Sequence, residues 1–153
     1  MKKSLLIFAA LILSIASFAQ SNEYIELTRS VLKTETKAAI AGVMNLTEAQ
    51  SAPFWDLYNE FETQNYNVQN KRIALIKDYA KNYENLTDDK ANELVNQYFA
   101  YKQEDLKLKK KYYKKIKKVV PATESAKFLQ AINKIDDLIN AELALDIPLI
   151  KTE

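Results

Sequence analysis

The chain of 153 residues has no cysteine, no histidine and a single glycine. Without cysteine there is no disulfide, even in a compartment that would permit one. Cys and His are also the usual ligands of zinc, copper and nickel, so such sites lose their donors. The same absences remove the commonest general base and any thiol nucleophile. One glycine, Gly42, cannot build a glycine-rich phosphate loop. Composition therefore argues against an enzyme, and it implies neither metal nor cofactor. Three prolines leave few places for the chain to turn.

The opening residues, MKKSLLIFAALILSIASFAQ, have the pattern of an export leader. Lys2 and Lys3 supply a positive start, and Leu5 to Ile15 form an apolar run too short to cross a bilayer comfortably. Ser17, Phe18 and Ala19 place small residues at the two positions that a signal peptidase reads. The expectation is a leader over 1–19, cleaved after Ala19, and a single exported, all-helical domain over 20–153. A short membrane anchor is the alternative reading of the same segment. No cysteine follows the apolar run, so a lipid anchor there is excluded. The whole chain carries 22 basic and 20 acidic residues, and loss of Lys2 and Lys3 leaves the two signs balanced. A nucleic-acid protein needs a net basic footprint, so no nucleic-acid partner is expected.

Ala, Leu, Lys, Glu and Gln dominate the remainder, and these are strong helix formers. The pattern predicts four helices: about Glu23 to Ala41 ending near Gly42, Glu48 to Tyr83, Asp88 to Val119 stopped by Pro121, and one from near Thr123 to just before Asp146. A near-repeat marks the corners. NLTEAQ at Asn45–Gln50 returns as NLTDDK at Asn85–Lys90. Thr47 suits an N-cap, and Gln50, three residues on, can accept the Thr47 N–H in return. Thr87 repeats the cap, but Lys90 cannot accept a proton, so that box is half-built. Asp88 and Asp89 place negative charge at the positive helix end instead. Asn45 and Asn85 would tolerate the left-handed backbone that closes a preceding helix. The two N-x-T sequons are read as turn chemistry, with glycosylation as the alternative. Pro53, past the first turn of the second helix, predicts a kink or a tightened start.

Heptad stripes run along both long helices: Phe54, Phe61, Val68 and Leu75 in one, Phe99, Leu106, Tyr113 and Val120 in the other. Each of these helices would be about 50 Å long at 1.5 Å per residue, whereas a compact domain of this size has a radius of gyration of about 14 Å. The expectation is an elongated four-helix protein built on a long antiparallel helical hairpin. A thin hairpin buries little area, so dimerisation is expected. Lys102, Asp105, Lys109, Asn65 and Arg72 interrupt the apolar faces. They predict a polar layer midway along, with Asp105 paired to Arg72 or Lys109 and setting register. The acidic pairs Asp136–Asp137 and Glu142–Asp146 are read as facing solvent.

KLKKKYYKKIKK, Lys107 to Lys118, is the most unusual stretch. At 100° per residue, Lys107, Lys110, Lys111, Lys114, Lys115, Lys117 and Lys118 share one side. Leu106, Leu108, Tyr112, Tyr113, Ile116, Val119 and Val120 share the other, and Lys109 alone intrudes among them. A solvated face complementing the helix dipole is one reading. A basic docking surface for acidic partners or unfolded chains is the second, and weak contact with anionic membrane the third. The apolar arc also takes in Leu94, Val95, Tyr98, Phe99 and Tyr101. It is wider than one helix partner covers, which predicts a dimer seam or an open binding surface.

The pentapeptide LTEAQ, with LTDDK as a weaker copy, resembles the LTxxQ motif of the Spy/CpxP family of periplasmic stress proteins. Leader, helix number and corner placement are also similar. Leu46, Thr47 and Gln50 match the motif, as do Leu86 and Thr87, while Lys90 stands where the second copy expects Gln. The resemblance implies a cradle-shaped homodimer in the periplasm. It implies an ATP-independent chaperone that holds unfolded envelope proteins on a basic, partly apolar surface. On that reading Lys107, Lys110, Lys111, Lys114, Lys117, Lys118, Tyr112 and Tyr113 contribute to client binding. The alternative within the family is an envelope-stress signalling accessory that binds a sensor kinase or an anti-sigma partner. A metal-linked branch of the family is disfavoured here by the absence of His and Cys.

Overall fold

The structure is a computed structural model, and it describes residues 22–150. The leader expected over 1–19 lies outside that range. Four α-helices account for nearly all of it: α1 (Asn22–Val43), α2 (Glu48–Asn82), α3 (Asp88–Ile116) and α4 (Ala122–Asp146). A short 3-10 turn, Tyr83–Asn85, follows α2. The protein is all-helical, and no strand occurs among the described residues.

The corners explain the boundaries. Thr47 and Thr87 are the N-caps of α2 and α3, both with extended backbone. Gln50 Oε1 accepts the Thr47 N–H at 3.1 Å. At the second corner Thr87 Oγ1 accepts the Lys90 N–H at 3.3 Å. Lys90, which lacks an acceptor, ties the corner differently. Its ammonium reaches Asp78 of α2 at 2.7 Å and Glu93 at 3.0 Å. Neither asparagine adopts the expected left-handed backbone, since no described residue has a positive φ. The Asn45 N–H instead donates to Glu124 Oε2 at 3.0 Å, fastening the first corner to the start of α4. Asn85 ends the 3-10 turn. Gly42 stays helical inside α1, one residue before its end. Pro53 sits inside α2, whose start is tightened by an i+3 bond from Gln50 N–H to Thr47 O. α3 ends at Ile116, earlier than its sequence suggests, because Lys117 to Val120 form a tight turn ahead of Pro121.

Cross-helix contacts give the directions. Arg29 of α1 donates to the Tyr66 carbonyl of α2 at 2.9 Å and lies 3.5 Å above the Tyr66 ring. Lys37 stands over Trp55, so α1 and α2 are antiparallel. Between α2 and α3, Glu60 meets Lys115, Gln64 meets Tyr112 and Asp78 meets Lys90, again in antiparallel order. α4 returns along both. Ser125 Oγ donates to the Tyr113 carbonyl, Lys109 meets Asp136, and Tyr79 Oη donates to the Pro148 carbonyl.

The core sits where the four helices overlap. Phe54, Phe61, Tyr112 and Phe128 are essentially inaccessible and meet edge to face, with Phe128 of α4 against both α2 rings. Such pairs add roughly 0.5–1.5 kcal/mol each beyond their burial. Ile40 of α1 and Met44, just past its end, close one side, and Leu108, Ile116 and Ile132 another.

The stripe expected on α3 is corrected. Leu94, Tyr101, Asp105, Leu108, Tyr112 and Ile116 are the buried residues of that helix. Phe99 and Leu106, the assumed core positions, are 57% and 67% exposed. α3 carries two apolar stripes about a third of a turn apart, and α2 and α4 cover only one of them. The stripe of α2 fares better: Phe54, Phe61 and Val68 are buried, and Leu75 is half-buried.

Candidate functional site

Two features bear on function: the basic face of α3 and a polar cleft beside it. Lys107, Lys110, Lys111, Lys114, Lys117 and Lys118 are all exposed. Lys111 donates to Gln64 Oε1 at 2.8 Å. Lys115, at the edge of the face, is paired with Glu60 at 2.6 Å. That carboxyl is held below the ordinary glutamate range, first by the hydrogen bond from Lys115. Among the described residues, Lys107, Lys110, Lys114, Lys117 and Lys118 have no carboxylate at ion-pair distance. Three uncompensated ammonium groups therefore lie on the last turns of α3, and Lys117 and Lys118 add two more in the turn that follows it. They raise a positive local potential on a chain whose two signs otherwise nearly cancel.

Of the two tyrosines expected to contribute to client binding, only Tyr113 reaches the surface beside the lysines. Tyr112 is fully buried, against Phe61, with its hydroxyl accepting from Gln64 at 2.7 Å. It is a core residue and touches no client. Its side of the helix meets α2, which the i, i+4 spacing from Leu108 would have signalled. Tyr113 is half-buried at the edge of the lysine face, its carbonyl bound by Ser125.

The cleft, of about 240 Å³, lies between Arg72 of α2, Tyr101, Lys102, Asp105 and Lys109 of α3, and Asp136, Asp137 and Asn140 of α4. Asp105 pairs with Lys109 at 2.8 Å, one of the two partners its spacing allowed. Lys109 also meets Asp136 at 2.5 Å, so one ammonium serves two carboxylates. Arg72 donates to Asn140 Oδ1 at 2.7 Å. The reading of Asp136 as solvent-facing is thus corrected: it belongs to the polar layer, while Asp137 is exposed. Burial pushes Asp136 above the usual aspartate range, although Lys109 pulls it back. Glu62 is likewise raised, by burial first and by Asp136 further down. Glu142 and Asp146 are half-buried. Asp105 Oδ1 is enclosed and lacks a hydrogen-bond donor. The layer is wedged between α2, α3 and α4. Among the described residues no group of acidic side chains is arranged to hold a metal ion.

A third feature is the part of the wide apolar arc of α3 that no described helix covers. Val95, Tyr98, Phe99 and Leu106 are exposed along α3, next to the lysines. No described helix is long and apolar enough to cross a membrane.

These elements define an all-helical protein whose third helix presents a basic face and an uncovered apolar stripe. Comparison with known proteins adds no closer identity: no family model, no curated protein and no solved structure matches the chain.

Proposed function

We propose that the protein is an ATP-independent holdase of the cell envelope. It holds unfolded envelope proteins on the α3 lysine face, in a cradle-shaped homodimer built on the α2–α3 hairpin. The observation that carries this reading is the run of exposed lysines at 107, 110, 114, 117 and 118, none neutralised by a described neighbour. Charge of one sign on a rigid helix captures flexible chains of opposite sign quickly and releases them readily. Half-buried Tyr113 edges the face and adds apolar contact. The leader-like pattern of the first residues and the LTxxQ-like corners support the reading.

Aggregation of several unrelated unfolded proteins tests it, followed by light scattering without nucleotide. Suppression at or below one protein per client supports the reading. Failure on all of them, together with capture of a single envelope partner, would instead select the signalling accessory.

A further inference from the structure

We infer that α3 is also a lipid-contact helix: its uncovered apolar stripe rests in the surface of an anionic bilayer, while the lysines beside it meet the headgroups. Val95, Phe99 and Leu106 are 48%, 57% and 67% exposed. At 100° per residue they fall within about 40° of arc. Half-buried Tyr113 continues that line toward the lysine end of the helix. Lys110, Lys114 and Lys107 follow within about the next 80°. Lys102 borders the stripe on its other side, 5.7 Å from the Tyr98 ring centre and 5.6 Å from that of Tyr101. An apolar line with cations along both margins is the layout of a helix that lies in a membrane surface. Lysine stems cover apolar surface there while their charged heads reach outward.

Charge selects lipid as the occupant. From Lys107 to Lys118 no Ser, Thr, Asn, Gln, Asp or Glu interrupts the lysines. Glu104, an exposed acid of the same helix, is already paired with Lys71 at 2.5 Å. A folded protein partner is read through mixed charges and hydrogen bonds. Heads of one sign beside an apolar line instead match a sheet of anionic headgroups over hydrocarbon.

The other end of α3 sets the orientation. Asp88 and Asp89 are exposed at its start. They lie about 27 Å or more along the axis from Lys107, beyond three Debye lengths of about 8 Å at physiological salt. They therefore do not cancel the lysines, and the same lipid surface repels them. α3 meets the bilayer obliquely, with its C-terminal end nearest. Exposed Asp137, on the rim of the polar cleft, marks where the favourable surface stops on the α4 side. The contact does not rest on the holding function.

Co-sedimentation with vesicles tests it on the purified exported protein. The protein is expected to pellet with phosphatidylcholine vesicles containing phosphatidylglycerol. It is expected to stay in solution with phosphatidylcholine alone, and rising salt is expected to release it. Lys107, Lys110 and Lys114 changed together to Glu should weaken binding at least about ten-fold. Phe99→Glu with Leu106→Glu should weaken it several-fold even at low salt, with helical circular dichroism kept, since both side chains are exposed. Phe99→Trp places a probe in the stripe. Its emission, taken as the difference from wild type with Trp55 alone, is expected to move to the blue when the anionic vesicles are added. Wild type that stays in solution with those vesicles overturns the inference, as does binding that survives either set of Glu changes. Emission from Phe99→Trp that is already blue before lipid is added places a protein surface on the stripe and overturns it too. Emission that stays unmoved on binding overturns the seating of the stripe in the bilayer.

Discussion

Lys109 stands between Asp105 and Asp136, and the three side chains are mostly enclosed. Removing the cation and removing one anion have opposite expected effects. Lys109→Met leaves two neighbouring carboxylates without their shared ion-pair partner and is expected to cost about 3–5 kcal/mol. Asp105→Leu keeps the Lys109–Asp136 pair and removes an enclosed oxygen that lacks a donor. Its expected gain is about 1 kcal/mol, or roughly 2–4 °C in Tm. Thermal and denaturant unfolding check both. If Asp105→Leu gains stability and assembly is unchanged, the register role expected from the sequence is wrong. Acidity gives a further residue-scale test. Asp136 and Glu62 sit above their ordinary ranges, chiefly through burial. A raised carboxyl costs stability above its folded pKa and is relieved as pH falls through it, because the folded state then binds the proton more tightly. Glu60 and Glu124, held low by their lysine partners, act the other way at lower pH. Stability is therefore expected to rise as pH falls from neutrality toward about 5, then to decline. Asp136→Asn is expected to flatten the rise in pH-dependent urea unfolding. The Asp105–Lys109 pair was legible, because i, i+4 partners on one helix are fixed by the sequence. Asp136 was not, because its place depends on how α4 approaches α3.

Helices and their corners were the most readable elements. The Thr caps and the Pro stop are local chemistry, and α2 and α3 begin where the Thr caps put them. Thr87→Ala removes the acceptor of the Lys90 N–H. It is expected to cost about 1 kcal/mol by denaturant melting. Phe128→Ala opens the ring cluster between α2 and α4 and is expected to cost about 3–5 kcal/mol. α3 was misread because both of its stripes satisfy helical spacing. Periodicity shows that Phe99 and Leu106 share a side, yet it is silent on which side meets α2. Tyr112 was assigned outward for the same reason, although the Leu108–Tyr112–Ile116 spacing was available to place it inside.

At the scale of the molecule, charge is segregated more than it is abundant. The chain nearly balances its signs, but α3 runs from aspartates at its start to lysines at its end. One helix thus offers two surfaces: an uncovered apolar stripe and a basic face. The basic face was legible from the sequence because lysines at one helical angle are solvated together whatever lies behind them. The polar cleft was legible only as a layer of interruptions, since its walls come from three helices. Local ionic strength should matter to function more than to fold. Client holding is expected to weaken as salt rises through physiological concentration, where the Debye length is about 8 Å.

The measurement that bears most directly on the account compares aggregation suppression by wild type and by a variant with Lys107, Lys111 and Lys118 changed to Glu. These three are exposed and make no ion pair among the described residues, so the fold should persist. The account predicts at least a several-fold loss of suppression toward acidic clients at unchanged helicity and mass. Suppression equal to that of wild type would contradict it.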